Sequence, residues 1–348
     1  MGHYIHGNPG QPQNNANSQP DVVPDLKIGI IGDTQTGKTT LIGALRIAGT
    51  QQEDDFKWNI RGLDAEKPNS GAFMTTNTGL LLNQEFPTPG TVSNSEYAYL
   101  MSGKIPKARL NFIMDLLPNN DLPIVRWVRD LVQDTQSAAF KLQLWDYPGD
   151  SIRNNTGNVQ DLIEFFATCD GIVFLFDPHP QYRQNSTTTL DATLDKLFNE
   201  AYIGQKLDGD FKFRQYLAVC ITKFDEPYIH KELVKHRLNG TLRTGLPYPT
   251  NPETAFKVLA GDYAHGQIAT NFPKGRVGYF MSSSIGIYMD AKGKYDPTKE
   301  NTYPASSGVR IQCPVRPINV LEPLIWIYSS VQHERSQQPA PKNPRRWW

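Results

Sequence analysis

Lys27-Ile28-Gly29-Ile30-Ile31-Gly32-Asp33-Thr34-Gln35-Thr36-Gly37-Lys38-Thr39-Thr40 decides how the rest of the chain is read. Gly32 to Thr39 spells G-x-x-x-x-G-K-T, the phosphate-binding loop pattern. Its surroundings are those the pattern needs. Ile28, Ile30 and Ile31 form a short apolar strand before it. Leu41, Ile42, Leu45 and Ala48 follow at helical spacing up to a stop at Gly49. A strand, a glycine-bounded loop and a helix N-terminus together make an anion site, because backbone N–H groups and the helix dipole face the anion. Asp33, Thr34, Gln35, Thr36, Gly37, Lys38, Thr39 and Thr40 are the expected phosphate contacts. Lys38 adds a point charge, and the Thr39 hydroxyl is a ligand for Mg²⁺. The expected ligand is a nucleoside triphosphate.

Composition excludes several other functions. Across 348 residues, 35 Lys and Arg balance 35 Asp and Glu, so no global charge draws the chain to nucleic acid or an anionic membrane. The three cysteines (Cys169, Cys220 and Cys313) are far apart with no C-x-x-C, which argues against a disulfide framework or a zinc site and fits a reducing cytoplasm. The histidines form no H-E-x-x-H. No apolar run is long enough to span a membrane, and residues 1–25 lack the core of a signal peptide.

Alternating strands and helices organise the chain from residue 25 to 335. Residues 1–24, rich in Asn, Gln, Pro and Gly, read as a disordered tail, and residues 336–348 as a flexible one ending Arg345-Arg346-Trp347-Trp348. Between about 50 and 139 the pattern is hard to parse. Gly79 to Leu82 reads as a strand, Tyr97 to Met101 as helical, and Ile124 to Val132 as an amphipathic helix or strand. From there the signals are clear. Phe140 to Asp146 alternates as a half-buried strand does, and Val159 to Ala167 carries a helical stripe. Gly171 to Asp177 and Tyr216 to Thr222 are continuously apolar, as interior parallel strands are, and residues 187–204 form a helix between them. Arg276 to Met281 is a late strand, Asp290 to Gln312 a polar loop, and Val320 to Val331 the closing helix. The expected fold class is α/β, a doubly wound and mostly parallel sheet that binds ligand at the carboxyl ends of its strands.

Three further motifs fall at such strand ends. Asp146-Tyr147-Pro148-Gly149 follows its strand. There the Asp146 carboxylate would hold Mg²⁺ through water, and the Gly149 N–H could meet a γ-phosphate. Thr222-Lys223-Phe224-Asp225 follows a buried strand. A carboxylate at Asp225 accepts the N1–H and N2–H donors of guanine, a pair that adenine lacks, while the Lys223 stem lies along the base. Ser283-Ser284-Ile285-Gly286 is placed for backbone N–H contact with guanine O6.

With G-D-T-Q-T-G-K-T, D-Y-P-G, T-K-F-D and S-S-I-G in this order, residues 26–332 resemble the Ras-like and translation-factor-like class of P-loop GTPases. The resemblance implies a G-domain with bound GTP or GDP and Mg²⁺, slow intrinsic hydrolysis, and a nucleotide-dependent switch acting on a protein effector, with a GTPase-activating protein as a further implied partner. More narrowly, Asp170 to Pro178 and Asn319 to Trp326 look like prokaryotic double-GTPase domains, which are often encoded in multi-gene systems with activating partners.

The departures from the class matter as well. Roughly a hundred residues separate Lys38 from Asp146, so an insertion lies near the first switch. Thr75, Thr76 and Thr78 are candidates for the switch threonine, each of them also readable as an ordinary polar residue. Asp150 stands after Gly149, where Gln often orients the attacking water; it either orients that water in turn, against the repulsion of a carboxylate by a γ-phosphate that only an intervening cation relieves, or simply caps the following turn. Thr222 replaces the commoner Asn. Arg153 is either an internal arginine finger or a solvated loop residue. Lys38, Gly149 and Asp150 are thus the catalytic candidates, and the rival reading is a catalytically weak GTP-binding scaffold subunit.

Overall fold

The computed structural model describes residues 25–33, 35–52, 57–87, 95–106, 135–146, 152, 154, 159–204, 207–242, 245–306 and 308–337. At its centre β1 (Asp25–Gly32), β5 (Gly171–Phe176), β6 (Tyr216–Ile221) and β9 (Val277–Met281) run parallel side by side. On the other side of β1 stand β4 (Thr135–Asp146, parallel to β1), then β3 (Ser95–Pro106) and β2 (Asn59–Gly62), the last two antiparallel to their neighbours. The result is a seven-stranded, mostly parallel sheet.

Two cores cover its faces, and the strands alternate between them. In β5, Ile172, Phe174 and Phe176 enter one core while Val173 and Leu175 enter the other; in β6, Leu217, Val219 and Ile221 oppose Tyr216, Ala218 and Cys220. That alternation explains the unbroken apolar runs, since both faces of these strands are buried. The first core is roofed by α3 (Val159–Ala167), α4 (Pro180–Ile203), α5 (Pro227–Lys235), α6 (Pro252–Ala260) and α7 (Asp262–Asn271). The second is roofed by α1 (Lys38–Gln51), α2 (Ser70–Leu82) and α8 (Glu322–Gln337). Truncating a side chain such as Phe174, 1 % exposed, to Ala would cost about 3–5 kcal/mol.

Four local expectations need correction. Gly79 to Leu82 is the last turn of α2, because Met74, Asn77, Thr78 and Leu81 bury one helical face and a four-residue apolar run has no period of its own. Tyr97 to Met101 lies inside β3, where pairing along the whole length of β4 overrides a locally ambiguous pattern. The polar stretch 290–312 contains a hairpin, β10 (Thr302–Ala305) with β11 (Gly308–Ile311). The last helix runs on through Ser336 to Gln337. The described parts of residues 50–139 extend the sheet edge and the α1 layer. A small hairpin, β7 (Asn239–Thr241) with β8 (Pro247–Pro249), follows α5. Residues 1–24, 124–132 and 338–348, on which other expectations fall, lie outside the described residues.

Candidate functional site

The parallel strands end level with one another. Gly32 stands abreast of Leu175, Leu175 of Cys220, and Cys220 of Phe280. The phosphate loop, Thr222–Asp225 and Ser283–Gly286 leave the sheet at this carboxyl edge, and Asp146 is the last residue of β4, which runs parallel to β1. With β5 between β1 and β6, the phosphate loop and the Thr222–Asp225 turn depart from strands about 10 Å apart, two strand spacings.

At the β1 end the loop closes on itself. The Thr36 N–H and hydroxyl both donate to the Asp33 carbonyl, at 3.3 and 2.8 Å. The Lys38 ammonium donates to the carbonyls of Gly32, at 2.8 Å, and Asp33, at 2.9 Å. Gly37, at φ +90°, makes the left-handed step into α1, a conformation costly for any residue with a side chain; a Cβ built there would meet nothing within 4 Å. Gln35 shares the positive φ. Lys38 is buried, and Thr39 and Thr40 lie half-buried in the first turn of the helix. A short loop with an ammonium held at its centre and a helix N-terminus behind it is suited to an anion.

At the β6 end the polar side chains come from separate segments. The Thr222 hydroxyl and N–H both donate to the Phe176 carbonyl, at 3.2 and 2.9 Å, tying the turn to the end of β5. Lys223 adopts φ +56°, and its ammonium pairs with the Asp177 carboxylate at 2.6 Å and lies over the Tyr182 ring, 4.6 Å from its centre. Phe224 anchors the turn from below. It is fully buried against His230 and Tyr248, and its carbonyl accepts the His230 Nε2–H at 2.6 Å. Burial pulls that imidazole down to about 4, so it is neutral.

Asp225 is 8 % exposed and receives a hydrogen bond from the Ser283 hydroxyl. Burial raises its carboxyl above the usual range, with that hydroxyl opposing the shift. The adjacent Glu226 is pushed up to about 7, again by burial, with Lys223 opposing. Ser283 also accepts from the N–H groups of Gly286, at 2.8 Å, and Ile285, at 3.3 Å, while its own N–H donates to the Ile318 carbonyl at 3.0 Å. The Ser284 N–H has no acceptor among the described residues. The loop therefore contains one amide for an outside acceptor, next to a buried carboxylate.

No family model matches this chain, and no curated protein does. Among solved structures it is similar to a signal recognition particle receptor complex, SRb-GTP with SRX, from Chaetomium thermophilum. Identity is 12 %, covering 76 % of this chain and 96 % of that one, and the TM-score is 0.30. A likeness so faint carries no weight about function.

The structure thus brings Asp33, Gln35, Thr36, Gly37, Lys38, Thr39, Thr40, Thr222, Lys223, Asp225, Ser283 and Ser284 to one edge. Asp146 closes β4, the neighbour of β1, opposite Ser95. Its side chain, together with Thr34, Gly149, Asp150 and Arg153, lies outside the described residues. Thr75, Thr76 and Thr78 are not brought to the site. They sit on α2, where the Thr75 hydroxyl accepts from Arg46 and the Thr78 hydroxyl donates to the Gly43 carbonyl. That places them along the flank of α1, five to eight residues beyond Lys38 or about 8–12 Å along its axis. Asp177 went unassigned in the sequence. Its signal was there, a carboxylate closing an apolar strand that ends beside the two motif-bearing strands.

Proposed function

We propose that this chain binds a guanine nucleotide with Mg²⁺, hydrolyses GTP slowly, and acts as a nucleotide-dependent switch for protein partners. The observation that carries the nucleotide reading is the pairing of two unlike polar centres at one sheet edge. Lys38 lies in a helix-backed loop, and two strands away Asp225 stands buried beside the Ser284 N–H. The first suits phosphates. The second offers an acceptor for N1–H and N2–H and a donor for O6, the complement of guanine and not of adenine.

The residues present fit such a ligand. Gly37 opens the loop where a Cβ would stand, Lys38 spreads its charge over phosphate oxygens, and the Lys223 stem supports the base. Thr39 and Asp146 supply the hard oxygen donors that Mg²⁺ prefers. The metal, when bound, would neutralise phosphate charge. Gly149 and Asp150 follow Asp146 in the sequence, and a carboxylate at Asp150 in place of a neutral water-orienting side chain would slow turnover by repelling a γ-phosphate.

A second reading, a GTP-holding subunit with little turnover, is favoured by the placement of Thr75, Thr76 and Thr78 away from the phosphate loop. One experiment separates the readings: denature the purified protein and identify the released nucleotide by ion-exchange chromatography. GDP supports a GTPase that retains its product, and GTP supports the second reading. An adenine nucleotide would sink the guanine assignment.

A further inference from the structure

Between the Ser283–Gly286 loop and α8 the chain makes a long excursion whose β10–β11 hairpin does not join the main sheet. It docks instead on the helices that follow the phosphate loop. Ile311 donates its N–H to the Gln84 carbonyl at 3.0 Å, the Gln84 side chain donates to the Gln312 carbonyl at 3.0 Å, and Arg310 pairs with Glu85. The Gln51 side chain donates to the Val315 carbonyl at 2.9 Å. Ile285, from the loop itself, packs with Ile311 and Val315 against Ala44 and Ile47 of α1 and Leu81 of α2.

Among the described residues, the Asn301 side chain joins this excursion to the loop. Asn301 is 1 % exposed. Its amide donates to the carbonyls of Gly286, at 2.7 Å, and Ile285, at 3.4 Å, while its carbonyl oxygen accepts the Cys313 N–H at 3.0 Å. A buried amide satisfied on both sides fixes the groups it touches, because leaving any of them unpaired in the interior is costly. The Ile285 carbonyl is held a second time by the Arg316 N–H at 3.1 Å. Gly286, at φ +82°, passes so close that a Cβ would lie 2.2 Å from the Arg316 carbonyl oxygen. Ser283 holds the N–H side of the turn and Asn301 the carbonyl side.

We propose that Asn301 is a positioning residue for guanine recognition. By fixing the Ile285 and Gly286 carbonyls it sets the orientation of the Ser284 N–H toward O6 of the base. The inference rests on the guanine-nucleotide reading above. It assigns the excursion a task, which is to lock the base loop onto the α1–α2 pair so that the phosphate and base ends form one rigid body.

The test compares wild type with Asn301→Asp, a nearly isosteric change that turns two donors into an acceptor facing two carbonyls. Dissociation constants are measured for GTP, for 6-thio-GTP and for inorganic tripolyphosphate. The thio analogue retains the N1–H and N2–H that Asp225 accepts and alters only the atom that the loop reads. Wild type should prefer GTP. The variant should lose about ten-fold in GTP affinity and most of its preference over the thio analogue, with tripolyphosphate unchanged. A variant that keeps the wild-type preference would overturn the proposal, as would an equal loss for all three ligands, which marks general destabilisation. Should Asn301→Asp not fold, Asn301→Ser reads the same ratio without burying a charge. Wild type binding ATP as well as GTP would overturn the guanine reading itself, a distinct result.

Discussion

The two ends of the candidate site are built in opposite ways. The phosphate end is local: one contiguous run, Gly32 to Thr40, supplies its ammonium and its backbone turn, and these close on each other within six residues. The base end is assembled from distant parts, with Asp177, Lys223, Asp225, Ser283 and Asn301 joined by buried hydrogen bonds and one ion pair. A local site made largely of backbone provides affinity for a generic anion. A non-local site made of fixed side chains provides discrimination, because its members stay in place only if the whole fold does.

Substitutions at the two ends should therefore fail differently. The largest effect is expected for Lys38→Ala, which should weaken GTP and ATP alike by on the order of a thousand-fold, since it removes the charge that every triphosphate shares. Equilibrium dialysis with both nucleotides checks this, and a change in base preference would blur the division between the ends. Asp225→Asn should do the reverse. GTP should weaken by on the order of a hundred-fold and xanthosine triphosphate should improve, because xanthine replaces the N2 donor with an oxygen that the new amide can satisfy. Retention of the wild-type preference would place the guanine pocket elsewhere.

A smaller effect is expected for Asp177→Asn. It releases the Lys223 ammonium while leaving the phosphate loop untouched, and should cost GTP roughly ten-fold and tripolyphosphate nothing in the same titration.

The smallest effect concerns stability against pH, and it also belongs to the base end. His230 titrates at about 4 when folded and near 6.5 when unfolded, so the folded protein binds fewer protons between these values and His230 makes stability rise with pH there. Glu226 titrates at about 7 when folded against an ordinary 4.5, so the folded protein binds more protons and Glu226 makes stability fall as pH rises over nearly the same window. In wild type these two contributions oppose each other from pH 4.5 to 6.5. His230→Phe should lose stability with rising pH and Glu226→Gln should gain it, by at most about 1 kcal/mol per pH unit, measured as urea midpoints. Parallel slopes in the two variants would contradict the assignment.

The same contrast explains what could be read from the sequence. The phosphate loop was legible because its determinants are contiguous, and so were β5 and β6, whose two buried faces leave continuous apolar runs. The place of Asp225 in the turn after β6 was legible from the buried strand before it. Asn301 was not, since nothing in a polar stretch marks one Asn as the residue that folding buries beneath the Gly286 turn. Tyr97 to Met101 was misread because β3 is specified by its pairing with β4, some forty residues away in sequence, rather than by a pattern of its own. Thr78 carries no local sign that its hydroxyl is committed to the Gly43 carbonyl.

The central claim, a phosphate end and a guanine-reading end on one sheet edge, is tested most directly by competition against a fluorescent GDP analogue bound to the wild-type protein with Mg²⁺ present. Unlabelled GTP should displace the probe at concentrations at least a hundred-fold lower than ATP, because adenine presents no donor pair to Asp225. Equal displacement by GTP and ATP, or stronger displacement by ATP, would contradict the account.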